Sequence, residues 1–310
     1  MSLIVTSDLI ELTKIGLNEV YLNEMNEPAG FYQRLFNVKD SNKMLEEELV
    51  MAGFGLVPEW NADGGKINYD KPLSGDRIQF THTDFGLAWM ISHKMLREDL
   101  YKKTSKELVS AASLVTKHTI EQDAANVFAL GFADTGPDGK PFFSATHPRL
   151  DGGVIDNLLA ASALSATALR VAVGRVRRGV NQRGQPIVYT LDSLMIPPEL
   201  EFIAKEALQP TILSTIAGLT STSDVGAAIP NVSGAIIPNV IVNPYLTSIG
   251  DYYIGASPKQ RFTVFYWRER PWFDAWKDDE TKGVGNSIAF AYSCGYTRPE
   301  GWWGSNNADT

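Results

Sequence analysis

Between Ser92 and Phe132 the chain carries no proline, and no glycine before Gly131. Leu96, Leu100, Leu108, Ala111, Ala112, Val115, Ile120, Ala124, Val127 and Phe128 recur there in three- and four-residue steps, the period of one helix face. Ser92 is placed to cap such a helix and Gly131 to end it. Roughly 38 helical residues would run about 57 Å. A compact globule of this length would be only about 50 Å across. The sequence therefore implies a spine with appendages rather than a sphere.

The flanking segments read as those appendages. The first fifty residues hold nine Asp or Glu against four Lys or Arg. Leu9, Leu12, Ile15, Leu17 and Val20 keep helical spacing until it dissolves at "NEPAG". This predicts an arm with a short helix, too small to bury a core and lying on other protein. "EELVMAGFGLVPEW" and "DRIQFTHTDFGLAWMI" are β-rich runs separated by the turn-rich "NADGGKINYDKPLSG", which predicts a long hairpin. An isolated two-stranded ribbon is marginal in water and needs a partner surface.

After the spine the pattern is mixed. "SATALRVAVGRVRRG" predicts a helix and "PIVYTLDSLMIPPEL" a strand leading into the helix "EFIAKEALQPTIL". Residues 214–238 are uncharged except for Asp224, and a loop of that length serves function or flexibility. "NVIVNPYL", "QRFTVFYWRER" and "NSIAFAYSCGY" alternate like strands. Without regular βαβ alternation the fold class is α+β.

Composition narrows the function classes. A net charge of −8 argues against general nucleic-acid affinity, which needs a surplus of Lys and Arg on some face. No run of about 18 apolar residues is present, so no membrane partner is expected. The N-terminus lacks the basic and apolar regions of a secretory signal. The single cysteine, Cys294, permits no internal disulfide and fits a reducing cytoplasm.

The stretch "GKPFFSATHPRLDGG" sets Ser144, His147 and Asp151 within eight residues. Ser144 is not in the G-x-S-x-G turn that exposes a hydrolase nucleophile. A triad is assembled in space, so closeness in sequence says little. Turns at Asp138-Gly139 and Asp151-Gly152-Gly153 around an extended His147-Pro148 account for the same residues. His118 and Glu121 make at most half a metal site, and more often such a pair is a surface contact. Cys294 reads as a buried structural thiol. No catalytic, metal or cofactor site is expected.

Two clusters remain. Arg170, Arg175, Arg177, Arg178 and Arg183 could meet nucleic acid or an acidic neighbour, or form a solvated face. Trp267, Trp272, Phe273, Trp276, Trp302 and Trp303 read as core or interface anchors, with base or sugar stacking the less favoured reading.

The order of elements resembles that of tailed-phage major capsid proteins of the Hong Kong 97 type. Residues 138–208 resemble the major head subunits of Mu-like phages. The matching residues are Phe143, Ser144, His147, Pro148, Gly152, Gly153, Asn157, Leu158, Leu164, Ser165, Arg183, Gly184, Pro186, Pro197, Pro198, Leu200 and Glu201. "VNPYL" and "ERP" fall where that family has similar segments.

The resemblance implies an N-terminal arm at 1–46 and an extended β-hairpin loop at 47–92 lying over a neighbouring subunit. It implies a peripheral domain with the spine helix at 93–150, an axial domain at 151–258, and peripheral return strands with a C-terminal tail at 259–310. The subunit would assemble with itself into pentamers and hexamers of an icosahedral shell. That shell would enclose double-stranded DNA without sequence-specific contacts. The host bacterial cytoplasm would be the site of assembly and the virion its destination. A separate scaffold, a portal and decoration proteins are the implied partners, with no long cleavable segment ahead of the arm. Trp60, Lys66, Lys71, Arg175, Arg177, Arg178, Trp302 and Trp303 are the intersubunit contact candidates. Lys66 and Lys71 occupy the loop where the family's cross-linking lysine lies, yet lysines on a polar tip are expected anyway, so no cross-link is expected. An encapsulin-like compartment, a tail or connector subunit and a Ser/His hydrolase remain the alternatives.

Overall fold

The computed structural model describes residues 17–25, 30–60, 63–97, 101–208 and 236–307. It divides into two compact units. The uncharged loop at 214–238 falls almost wholly outside the described residues, as does the start of the arm.

The first unit takes residues to Glu46, Gln79–Ala124 and Val264–Gly295. Its four-stranded sheet has the order β1 (Asn37–Asp40), β10 (Thr263–Lys277), β11 (Val284–Tyr296), β4 (Thr83–Ile91). β1 runs parallel to β10, with Asn37 opposite Val264, and β11 runs antiparallel to β4. Residues 17–25 are helical (α1). Leu17 and Tyr21 bury themselves with Val109, Ala112, Phe273 and Ile288, and Tyr21 Oη donates to Thr116 Oγ1 at 3.2 Å. The described part of the arm thus lies on its own chain's sheet and spine.

The spine is helical as expected, but its buried face is turned. The short helix α3 (His93–Arg97) precedes α4 (Tyr101–Ala129, 29 residues), and the Met95 N–H reaches Ser92 Oγ at 3.4 Å. The buried positions of α4 include Ser105, Val109, Ala112, Ser113, Thr116, Ile120 and Glu121. Leu108, Ala111, Leu114 and Val115, three of them expected in the core, are exposed. The buried stripe admits Thr116 because a local acceptor satisfies it: Oγ1 donates to the Ala112 carbonyl at 2.9 Å, whereas the buried Ser113 Oγ has no hydrogen-bond partner. Glu121 is no metal half-site. Its Oε2 accepts the Tyr32 N–H at 3.0 Å and holds the short helix α2 (Tyr32–Leu35), while burial pushes the carboxyl up to about 7.

The hairpin differs from the expected pair of long strands. β2 (Leu45–Ala52) ends before Gly53 and Gly55, which with Pro58 weaken a ladder. The return run divides at His82: β3 (Leu73–Thr81) pairs with β2, whereas β4 pairs with β11. A strand that changes partner must break, and His82 marks the break. Its Nε2 lies 3.2 Å from Ser41 Oγ and its Nδ1 3.0 Å from Ser293 Oγ.

The second unit takes Glu47–Ile78, Ala125–Thr263 and Tyr296–Thr310. β5 (His147–Pro148) and β6 (Val154–Ile155) form a small antiparallel pair. The unit's four-stranded sheet has the order β12 (Trp302–Ser305), β9 (Tyr252–Ala256), β7 (Leu191–Ile196), β8 (Asn239–Val242). Leu169 and Val176 of α5 (Ala166–Val176) and Ala204 and Leu208 of α6 (Glu201–Leu208) pack on it with Tyr252, Ile254 and Trp303. Ser165 caps α5 by accepting the Ala168 N–H at 3.1 Å.

Candidate assembly surfaces

The Ser/His/Asp stretch folds into a buried structural node. His147 is fully buried, with Nδ1 2.5 Å from Asp138 Oδ2. Its Nε2 lies 3.2 Å from the Phe142 carbonyl and 3.1 Å from Asn157 Oδ1. Asn157 completes the network: Nδ2 donates to the carbonyls of Phe142 (2.7 Å) and Pro299 (3.0 Å), and Oδ1 accepts the Ser144 N–H (2.9 Å). Burial works to raise the Asp138 carboxyl, but the His147 hydrogen bond and charge hold it below its ordinary value. Ser144 Oγ pairs with Thr146 instead, at 3.4 Å from its Oγ1. Both imidazole nitrogens are engaged elsewhere, so no base faces this serine. Asp151, expected at a turn, accepts the Gly153 N–H at 3.0 Å beside Gly152 at φ 89°. Among the described residues no group of three or more His, Cys, Asp or Glu is placed to hold a metal.

The sequence-derived contact candidates fall into two sets. Trp302 is 0% exposed and Trp303 is buried beside it. Arg261 stacks over Trp302 at 4.6 Å while its Nη2 pairs with Asp192 at 3.0 Å, and Trp303 meets Tyr189 edge to face at 4.9 Å. Both indoles are core anchors of the second unit, leaving no face for a neighbour. The other six are exposed. Trp60 Nε1 donates to the Gly65 carbonyl at 2.8 Å, which folds the hairpin tip back on itself. Lys66 stands on the same tip, whereas Lys71 lies nearer β3, where its carbonyl accepts from Arg183. Arg175, Arg177 and Arg178 cluster at the C-terminal end of α5, where the helix dipole favours cations, and Arg175 pairs with Asp156.

A further group escaped the sequence reading. Phe54, Leu56, Val57, Ile67 and Tyr69 all stand exposed between β2 and β3, Val57 at 95% and Tyr69 at 99%. Phe54 and Leu56 belong to a run with strand composition, and Ile67 and Tyr69 to a segment that is mostly polar. The signal was present: apolar residues at alternate positions in a stretch too rich in glycine and proline to pair. The base of this loop is tied down in the second unit. Asp70 Oδ2 accepts the Gly55 N–H at 2.6 Å and pairs with Arg183 Nη1 at 3.2 Å, contacts that hold its carboxyl below the ordinary value.

Residues 77–304 match the model of a family described as phage capsid protein. The chain belongs to that family. Among solved structures, the capsid of the Cyanophage P-SCSP1u is 11% identical with a TM-score of 0.59, over 91% of this chain and 89% of that one. A virus-like particle from Pyrococcus furiosus is 11% identical with a TM-score of 0.55, over 95% and 99%. A Mycobacterium phage Che8 chain is 13% identical with a TM-score of 0.52, over 90% and 91%. No curated protein matches. The fold is the Hong Kong 97-type capsid fold, and the protein is a phage major capsid protein with a structural role rather than an enzyme. The exposed surfaces of this capsid protein are therefore where its function lies.

Proposed function

We propose that this capsid protein, a relative of the Mu-like head subunits, builds pentamers and hexamers of a closed icosahedral shell around packaged double-stranded DNA. Residues 47–81, the part of 47–92 that precedes β4, form the extended loop that lies over a neighbouring subunit, and β4 belongs with the peripheral sheet that the spine at 93–150 follows. Residues 151–258 form the axial domain, and of 259–310 the strands β10 and β11 return to the peripheral domain while β12 rejoins the axial sheet. The observation that carries this reading is the row of exposed apolar side chains at Phe54, Leu56, Val57, Ile67 and Tyr69. Large apolar side chains exposed together on one loop mark an interaction site. A loop that cannot bury such side chains on its own base gains that burial from another copy, so its ordering is linked to assembly. Trp60 and Lys66 on the tip and Lys71 at the base of the loop join the same contact. Arg175, Arg177 and Arg178 form a separate basic rim for an acidic neighbour, and Leu108, Leu114 and Val115 give the spine an apolar outer face for packing between copies. The net charge of −8 suits a container whose cargo is held without many phosphate contacts. Scaffold, portal and decoration proteins would complete the particle, assembled in the host cytoplasm.

Deletion of residues 60–75 tests the reading. The expected product is a folded subunit, with unchanged far-ultraviolet dichroism and a cooperative melt, that no longer forms closed particles by electron microscopy. Particles of unchanged yield and size would overturn the loop assignment. Nucleic acid inside purified particles is the outcome expected of a phage shell, and enzyme cargo in its place would point to an encapsulin-like compartment.

A further inference from the structure

We propose that Ser41, Glu46, His82 and Ser293 form an acid-sensitive clasp at the neck of the extended loop, closed around a neutral imidazole and loosened when that imidazole takes a second proton. Glu46 and His82 flank the loop on its entry and its exit, and all four residues belong to the first unit. The part the loop plays in assembly rests on the reading above, whereas the clasp needs only one subunit.

The hydrogen bonds fix where the protons stand. Ser41 follows β1 and is 3% exposed, with its N–H donating to the Trp267 carbonyl at 2.7 Å. Its Oγ donates to Glu46 Oε1 at 2.7 Å, and Lys43 Nζ pairs with the other carboxylate oxygen at 3.2 Å. These contacts, the Ser41 bond foremost, hold the Glu46 carboxyl below its ordinary value, so it stays an acceptor in mild acid. A hydroxyl has one proton to give. With that proton committed, Ser41 Oγ accepts from His82 at 3.2 Å, and Nε2 carries the imidazole hydrogen. The other nitrogen of a neutral imidazole is bare, so Nδ1 accepts from Ser293 Oγ at 3.0 Å. Ser293 lies on β11 and is buried. One imidazole in one tautomer thus joins both ends of the loop to the sheet.

A second proton disturbs this arrangement. It would stand on Nδ1, facing Ser293 Oγ, and turn that hydroxyl's own hydrogen away from its acceptor. Of the charges around the ring, Arg268 of β10 opposes a cation, while Glu46 and Asp84 of β4 favour one. Burial first, then Arg268, outweigh the two carboxylates and keep the imidazole below its ordinary 6.5. The open clasp takes the proton near 6.5 and the closed one resists it. The clasp therefore contributes fully above about 6.5 and is lost as pH falls below that value.

The test is amide hydrogen exchange of the full-length unassembled subunit at about pH 7.5 and about pH 5, corrected for the intrinsic pH dependence of exchange, beside nitrogen-15 spectra of its imidazoles. The reporters are the Ser41 and Lys43 amides, which donate to the Trp267 carbonyl and to Ser41 Oγ. They are expected to lose protection about tenfold in acid. His82→Gln, which offers one donor and one acceptor and does not titrate, should hold its protection at both values. The His82 signal is assigned through that variant, or through His82→Asn should it not fold. It should show the hydrogen on Nε2 and titrate below 6.5. Ser293→Ala removes the donor to Nδ1 and should move that titration upward. An equal acid loss in His82→Gln, a hydrogen on Nδ1, a titration at or above 6.5, or one that Ser293→Ala leaves in place would overturn the proposal. Every reading is made on single subunits, so failure of assembly and failure of the clasp are separate results.

Discussion

Two stretches of the second unit reverse the expected relation between side chain and place. The stretch around His147 carries the residue types of an active site, yet its imidazole is fully buried and bound on both nitrogens. The stretch from Phe54 to Tyr69 carries residue types of a core, yet Val57 and Tyr69 are almost wholly in solvent. The polar stretch is satisfied within one subunit; the apolar stretch is not. A side chain's chemistry says what it needs, and the chain's topology decides whether one copy can supply it. In this capsid protein the unmet need marks the function.

The comparison breaks first at the loop. Replacing Phe54, Leu56, Val57 and Tyr69 together by Ser should abolish particle formation in sedimentation, while the melting temperature of the unassembled subunit stays within a degree or two. A large drop in that temperature would mean that the loop is core after all. The node is the converse case. His147→Ala leaves Asp138 and Asn157 without their partner and should cost about 3 kcal/mol in denaturant unfolding, with any loss of particles following from the loss of fold.

The buried polar stripe of the spine sharpens the contrast through pH. The Glu121 carboxyl ionises near its ordinary 4.5 in the unfolded chain but keeps its proton to about 7 when folded. Its contribution is therefore full below about 4.5 and is lost as pH rises toward 7, on the order of 3 kcal/mol in all. Glu121→Gln keeps an acceptor for the Tyr32 N–H and should flatten that slope, as stability curves at several pH values would reveal. The smallest effect belongs to Ser144→Ala, expected within about 0.5 kcal/mol of the parent, since the backbone N–H and not the hydroxyl joins the node.

Much of the architecture was legible because it is local. The Pro-free run announced α4, Ser165 announced the start of α5, and Asp138-Gly139 a turn whose glycine has φ 75°. The face of α4 was not legible. Hydropathy put Leu108 and Val115 inside, whereas Ser113, Thr116 and Glu121 are the buried ones; an acceptor four residues back and a distant Tyr32 N–H are invisible to periodicity. The parallel pairing of β1 with β10 joins segments far apart in the chain, and no local propensity encodes it. Trp302 and Trp303, which the sequence leaves open between core and interface, fall on the core side. Composition cannot choose between those two, because the pairing of β12 with β9 that buries the pair joins segments distant in sequence.

The lone thiol has a practical consequence. Cys294 Sγ lies 3.8 Å from the Asp123 carbonyl, and burial, with the nearby Asp123 charge, pushes the thiol up to about 12. At neutral pH only about one part in 10⁵ would be thiolate, so the native subunit is nearly silent toward alkylating reagents. A cysteine introduced at Asn68, beside the exposed Tyr69, would be the one fast-reacting group on the chain. Its labelling rate before and after assembly would time, copy by copy, when each loop is covered.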